Sequence, residues 1–275
     1  MKYTLHSIKY SAKNFIYLFP LCVIPAFFLA FTVARTEMFS VWEAFWAKDL
    51  SSLSFVEIFQ VVSIFNFSSW EAVLGGLIGF IALVLCVALL MAFTDKHMRI
   101  GKRTFNGLFS KLNDNLLSTF GFAALLFFIY EVWSLLTAAL FYLLAQLPFV
   151  AALATSTLLY FGAHVILLFV VSCIYLWLPC MQITGFKPFE ALRYSNILCE
   201  AIKWRIVFNQ FVILFVAEIC VVVSVLCLPH MQAASFFVTT IVYALLIMLF
   251  CVRMQVAYLD RTKTERADLV PYYTV

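Results

Sequence analysis

The chain has 275 residues, of which 65% are hydrophobic, 18% aromatic and only 12% charged, and its net charge is +4. Soluble domains carry roughly 45–50% apolar and about 25% charged residues, so a single core of this size cannot absorb the apolar side chains. A soluble enzyme, a disordered chain and a secreted disulfide scaffold are thereby excluded, which leaves an integral membrane protein.

A helix that crosses the hydrocarbon needs about 20 mostly apolar residues. Six runs meet that condition, at 15–34, 72–93, 116–145, 150–180, 206–228 and 234–258. They are apolar on every side, whereas the strands of a membrane barrel alternate. The expected fold is therefore all-α, one six-span polytopic membrane domain covering 1–275.

The first run follows Lys2, Lys9 and Lys13. Its basic start and the small residues Thr32 and Ala34 resemble a secretory signal, but its apolar stretch exceeds the usual core of about 7–15 residues. It is expected to stay as a span, kinked at Pro20 and Pro25. The segment 35–71 then carries Glu37, Glu43, Asp49, Glu57 and Glu71 among aromatic residues. Phe39, Trp42, Phe45 and Trp46 recur at helical spacing, as do Phe55, Ile58, Phe59 and Val62. This pattern predicts two short amphipathic helices on the outer surface, either an interfacial aromatic belt or a cap over a cavity.

In the second run Gly75, Gly76 and Gly79 form a small-residue face suited to close helix packing. The third run holds Glu131, flanked by Tyr130, Trp133 and Ser134; the fourth holds His164. Each of these two runs is near 30 residues, roughly 45 Å of helix, so they tilt or reach into the interface. The outer turns around Gln146–Pro148 and Pro229–His230 are short, making hairpins of runs three/four and five/six. Glu218 lies near the middle of the fifth run, with Asn209 and Gln210 toward its inner end. Every Lys and Arg except Arg35 and Lys48 falls on one side of this layout, which places both termini in the cytoplasm.

The loops on the basic side hint at a repeat. Ser7-Ile8-Lys9-Tyr10-Ser11 precedes the first run and Ala191-Leu192-Arg193-Tyr194-Ser195 the fifth; Gly107-Leu108-Phe109-Ser110-Lys111, a weaker relative, precedes the third. Three units are expected, each a short cytoplasmic amphipathic helix followed by a transmembrane hairpin, with Lys and Arg toward anionic lipid. The stretch Phe189 to Ser195, then Lys203-Trp204-Arg205 and a span, resembles the six-span bacterial membrane-domain group. That group includes the membrane domain beside some glycerophosphodiester phosphodiesterases and related domains of unknown function. Ala191, Leu192 and Ser195 match its element before the fifth span, and Tyr258-Leu259-Asp260-Arg261 matches, imperfectly, its element at the end of the sixth. The resemblance implies a bacterial plasma-membrane protein; it does not imply phosphodiesterase activity, because no catalytic domain is attached.

An ionised carboxylate at bilayer centre costs at least ~2.5–3.5 kcal/mol on insertion scales. Glu131 and Glu218 are therefore expected to face the bundle, and with His164, at similar depth, to be capable of one substrate or proton site of the kind transporters use. The alternative is that each simply hydrogen-bonds a neighbour and helps helices associate. The eight cysteines show no CxxC and no zinc spacing, and read as small packing residues. His97 and His230 read as solvated or interfacial, and Ser195 as a packing or capping residue. No metal site, cofactor, nucleotide fingerprint or hydrolase motif is expected, and the positive charge is not a nucleic-acid footprint. The expected function is a non-enzymatic membrane protein that binds membrane lipids or another membrane protein. A small transporter or lipid translocator using Glu131, His164 and Glu218 is the alternative, and an intramembrane enzyme ranks last.

Overall fold

Where side chains are apolar all round and no water is available, the backbone must satisfy its own hydrogen bonds, and the helix does so within one segment. The structure, a computed structural model, describes residues 2–103, 105–228 and 230–269, and among them all regular structure is helical. Six helical segments are long and apolar enough to cross a membrane: Phe15–Thr32, Trp70–Ile100, Leu108–Ala145, Phe149–Thr184, Lys203–Cys227 and Gln232–Arg261. In chain order the helices are α1 (Lys2–Lys13), α2 (Phe15–Leu29), α3 (Arg35–Ala47), α4 (Phe55–Val62), α5 (Trp70–Ile100), α6 (Leu108–Ala145), α7 (Phe149–Cys173), α8 (Trp177–Thr184), α9 (Pro188–Glu200), α10 (Lys203–Cys227) and α11 (Gln232–Arg261). Pro229, expected from the sequence in a short turn between the fifth and sixth runs, lies outside the described residues.

The core runs between α2, α5 and α11, where Leu18, Cys22, Leu90, Phe93, Met248 and Val252 are buried together. The three glycines of α5 make this approach possible. A Cβ on Gly75 would sit 2.6 Å from Phe31 Cβ and 3.0 Å from the Phe28 carbonyl oxygen, and one on Gly79 would sit 3.0 Å from Leu29. Gly76 meets Thr32 and, farther off, Phe65. Both prolines of α2 are accommodated inside the helix.

The basic end gathers α1, α8, α9 and the last turns of α5 and α11. Tyr3 of α1 donates to Asp260 Oδ2 at 2.7 Å; burial and that carboxylate push its phenol up to about 12. In α1 and α9 the first and fifth residues of the repeated pentapeptide point inward: Ser7 and Ser11 are buried, as are Ala191 and Ser195. The third expected surface helix does not form separately. Gly107, at φ 76°, caps a single helix that runs without interruption from Leu108 to Ala145. Nothing between Lys111 and Leu116 breaks a helix, so the pentapeptide became its first turn.

The fourth apolar run, read as continuous, is broken. α7 stops at Cys173 and α8 restarts at Trp177. Pro179 supplies the reason: it lacks an N–H, and its ring would collide with the carbonyl of Tyr175 in an unbroken helix. The Leu176 N–H freed at the break donates to Ser195 Oγ at 3.2 Å, so α9 caps α8 across the chain. Arg261 Nε likewise donates to the Leu198 carbonyl at 3.1 Å. Ser195, Asp260 and Arg261 thus fasten α1 and α9 to the bundle, with Ala191 on the buried face of α9 and Leu192 half-buried.

At the opposite end α3 and α4 fold onto the upper half of α6, burying Ala44, Leu53 and Ile58 against Ala138. Trp42 and Trp46 stay exposed. α4 begins in a capping box between Ser54 and Glu57, and these hydrogen bonds hold the Glu57 carboxyl below its ordinary range.

Candidate functional site

Glu131 sits where α6 changes neighbours. Toward the basic end α6 packs on α5, with Phe127 against Phe80 at 5.0 Å. Toward the other end it packs on α4, with Tyr142 against Phe55. Between these partners the chain leaves α4 and crosses to α5 through an irregular turn at 63–69, and that turn closes on Glu131. One carboxylate oxygen accepts from the backbone N–H groups of Ile64 at 3.0 Å and Phe65 at 3.3 Å. The other accepts from Ser63 Oγ at 2.7 Å and Ser134 Oγ at 3.3 Å. Tyr130 donates to the carbonyl of Val62, the last residue of α4, at 2.9 Å. Non-helical backbone survives among apolar helices only where its polar groups find such partners.

His164 and Glu218 come into direct contact between α7 and α10. His164 Nδ1 faces the Tyr160 carbonyl at 2.9 Å and Nε2 faces Glu218 Oε1 at 3.1 Å, while the Tyr160 hydroxyl donates to the other carboxylate oxygen. The protonation pattern follows from these partners. A carbonyl only accepts, so Nδ1 carries its proton. The remaining contact then needs one proton, either on Nε2 as imidazolium or on Glu218 as the acid. In both states the pair is electrically neutral, which removes most of the cost of burying it. His164 is buried, whereas the Glu218 side chain keeps 33% of its surface open.

The three residues singled out from the sequence therefore form two sites. Trp133 stands between them, its indole N–H donating to the Ala163 carbonyl at 2.8 Å and its ring 4.9 Å from that of His164. Ring contacts run from Tyr130 through Trp133 and His164 to Tyr160. Glu218→Gln is expected to keep the fold, because an amide N–H can still donate to His164 Nε2. Glu218→Leu leaves that nitrogen and the Tyr160 hydroxyl without partners, at about 1–3 kcal/mol. Thermal unfolding of the two variants in detergent checks the contrast, and equal midpoints would refute it.

Several polar groups at the basic end escaped the sequence reading. His97 is buried rather than solvated, held by the Tyr10 hydroxyl at 2.8 Å and by Arg103 Nε at 3.3 Å. Arg253, counted only among the Lys and Arg of the basic side, is buried in α11 and donates to the Tyr175 hydroxyl at 3.0 Å. Asp95 accepts from Arg99 at 2.6 Å and from Gln255 Nε2 at 3.2 Å, with Lys111 Nζ at 3.6 Å. The available signal was spacing: Asp95 and Arg99 are four apart, and Gln255 interrupts an apolar run. Asn209 and Gln210 are buried in α10, where they do not touch the His164–Glu218 pair through any hydrogen bond among the described residues.

Around Asp95 and Gln255 lies a cavity of about 120 Å³ between α5, α6, α8 and α11. It adjoins a more open groove of about 600 Å³ between α6 and α8, with which it shares Asp114, Asn115 and Gln182. The groove wall is mostly apolar, with Phe120, Trp177, Met181 and Phe186 along it. Among the described residues no three His, Cys, Asp or Glu side chains gather as a metal-binding group. No protein-family model, no curated protein and no solved structure matches the chain.

Proposed function

We propose that this chain is a non-enzymatic membrane protein that binds membrane lipid or a membrane partner, with lipid as the ligand the geometry supports best. The observation that carries the reading is the groove between α6 and α8, apolar along its wall and polar where it meets the Asp95–Gln255 cavity. An amphiphile with its head inward and its chain along the wall matches that polarity. The intramembrane acids give further support, since Glu131 spends its oxygens on the 63–65 turn and Glu218 on Tyr160 and His164. In this reading the basic end faces the cytoplasm, following the distribution of Lys and Arg, and α1 and α9 lie at the surface as in the domain group the sequence resembles.

The test is to purify the tagged chain in mild detergent and identify bound lipids and proteins together. Phospholipid retained at about one molecule per chain supports the reading. A chain free of lipid that co-purifies with one stoichiometric membrane protein makes it a complex subunit instead. A second reading, a proton-linked carrier, draws on the partly open Glu218 and its single shared proton. Reconstituted vesicles showing solute or proton flux that Glu218→Gln abolishes would replace the first reading with that one.

A further inference from the structure

We infer that the Asp95–Gln255 cavity receives the primary ammonium of a zwitterionic phospholipid, an ethanolamine-type head whose acyl chain lies in the adjoining groove; this rests on the lipid-binding reading above. One wall is formed by Gln255, which is fully buried and whose Oε1 has no hydrogen-bond partner among the described residues. Its amide is oriented by Asp95, which only accepts, so the nitrogen faces the carboxylate and the oxygen is left over. A buried carbonyl without a donor costs free energy unless something supplies one.

The rest of the cavity makes the same demand. Gln182 spends its Nε2 on Ser118 and Thr119, at 3.3 and 2.9 Å, which leaves its oxygen as an acceptor. Asp114, on the shared wall, carries a carboxylate. Two amide oxygens and an acid thus belong to the residues that line the cavity, a set that favours N–H donors and positive charge. At roughly 30 Å³ per water-sized volume, 120 Å³ is room for a small ethylammonium group.

Lys111, with 46% of its side chain open, stands at the edge of the cavity, where its ammonium can meet a phosphate without desolvation. Head-group alternatives fail on the same chemistry. A trimethylammonium has no N–H to give the two oxygens. Asp95 already has Arg99 and Lys111, so the open acid is Asp114: a glycerol head brings no cation to it, and a serine head adds a carboxylate beside it. The apolar wall past Phe120, Trp177, Met181 and Phe186 then takes the acyl chain.

The experiment delipidates the full chain and offers synthetic phospholipids of identical acyl composition, followed by native mass spectrometry of the complexes. Retention is expected to favour the ethanolamine head at least tenfold over choline, to fall with each N-methyl group added, and to exceed glycerol and serine heads. Asp114→Asn, at an exposed position, and Gln182→Leu are expected to reduce that preference several-fold while thermal unfolding without lipid stays within a few degrees. Equal retention of all heads, or a preference for glycerol, overturns the ammonium assignment and leaves lipid binding standing. An ethanolamine preference unchanged in both variants overturns the location. Absence of any retained lipid overturns the underlying reading itself.

Discussion

Replacing Glu131 with leucine is expected to lower the unfolding free energy by about 2–4 kcal/mol, the largest effect of any single side chain at the two intramembrane sites. The carboxylate receives two backbone N–H groups and the Ser63 and Ser134 hydroxyls. Leucine fills similar space and receives none of them. The Ile64 and Phe65 N–H groups have no helical acceptor to return to, because they lie in the turn between α4 and α5. Glu131→Gln keeps one carbonyl oxygen for both N–H groups and should lose about half as much. At roughly 2–4 °C per kcal/mol for a chain of this size class, leucine should lower Tm by about 5–15 °C in detergent. Hydrogen exchange should quicken at Ile64 and Phe65 first. A leucine variant with the wild-type midpoint would show that the turn is held by α3 and α4 packing and that Glu131 is incidental.

The second large effect is expected at Gly75. A Cβ there would lie 2.6 Å from Phe31 Cβ and 3.0 Å from a backbone carbonyl of α2, so neither neighbour can yield by turning a side chain. Gly75→Ala must separate α2 from α5 locally, at about 1–3 kcal/mol, and Gly75→Leu must cost more. The control lies in the same fold. Among the described residues, nothing lies within 4 Å of where a Cβ on Gly121 or Gly162 would sit, and both sit inside helices. Alanine at either should be neutral or stabilise by up to about 1 kcal/mol, because glycine is the poorer helix former. Thermal unfolding of the three alanine variants gives the comparison directly, and a Gly75→Ala variant as stable as Gly121→Ala would contradict the tight α2–α5 contact.

Both effects concern groups that stand out in the sequence, yet the sequence assigned them different degrees of detail. The glycine spacing on one helix face pointed to close packing, because 3.6-residue periodicity is local and helix–helix approach needs small residues. It did not name the partner, which is α2. For Glu131 the cost of charge among apolar residues required a partner. That partner, the backbone N–H groups and the Ser63 hydroxyl of a turn 66 to 68 positions away in the chain, leaves no trace in local pattern. The same limit explains Arg253 and His97. His97 read as solvated and Arg253 as one more cation of the basic side, because a short sequence window cannot show that Tyr10 of α1 and Tyr175 come to meet them.

By itself the sequence determined the class of solvent, the number of long apolar helices and the two amphipathic helices of the 35–71 segment. All three depend on composition and on periods shorter than one helix. Only the tertiary structure decided that α7 and α8 are separate, since the break at 174–176 needs Ser195 of α9 to receive the freed Leu176 N–H. It alone divided Glu131 from the His164–Glu218 pair, because which face of α6 meets which neighbour is set by packing. It alone brought Asp95, Gln182 and Gln255 to one cavity, from three helices far apart in the chain. Hydrophobicity is read residue by residue, whereas a site is made by side chains whose only relation is the distance the fold leaves between them.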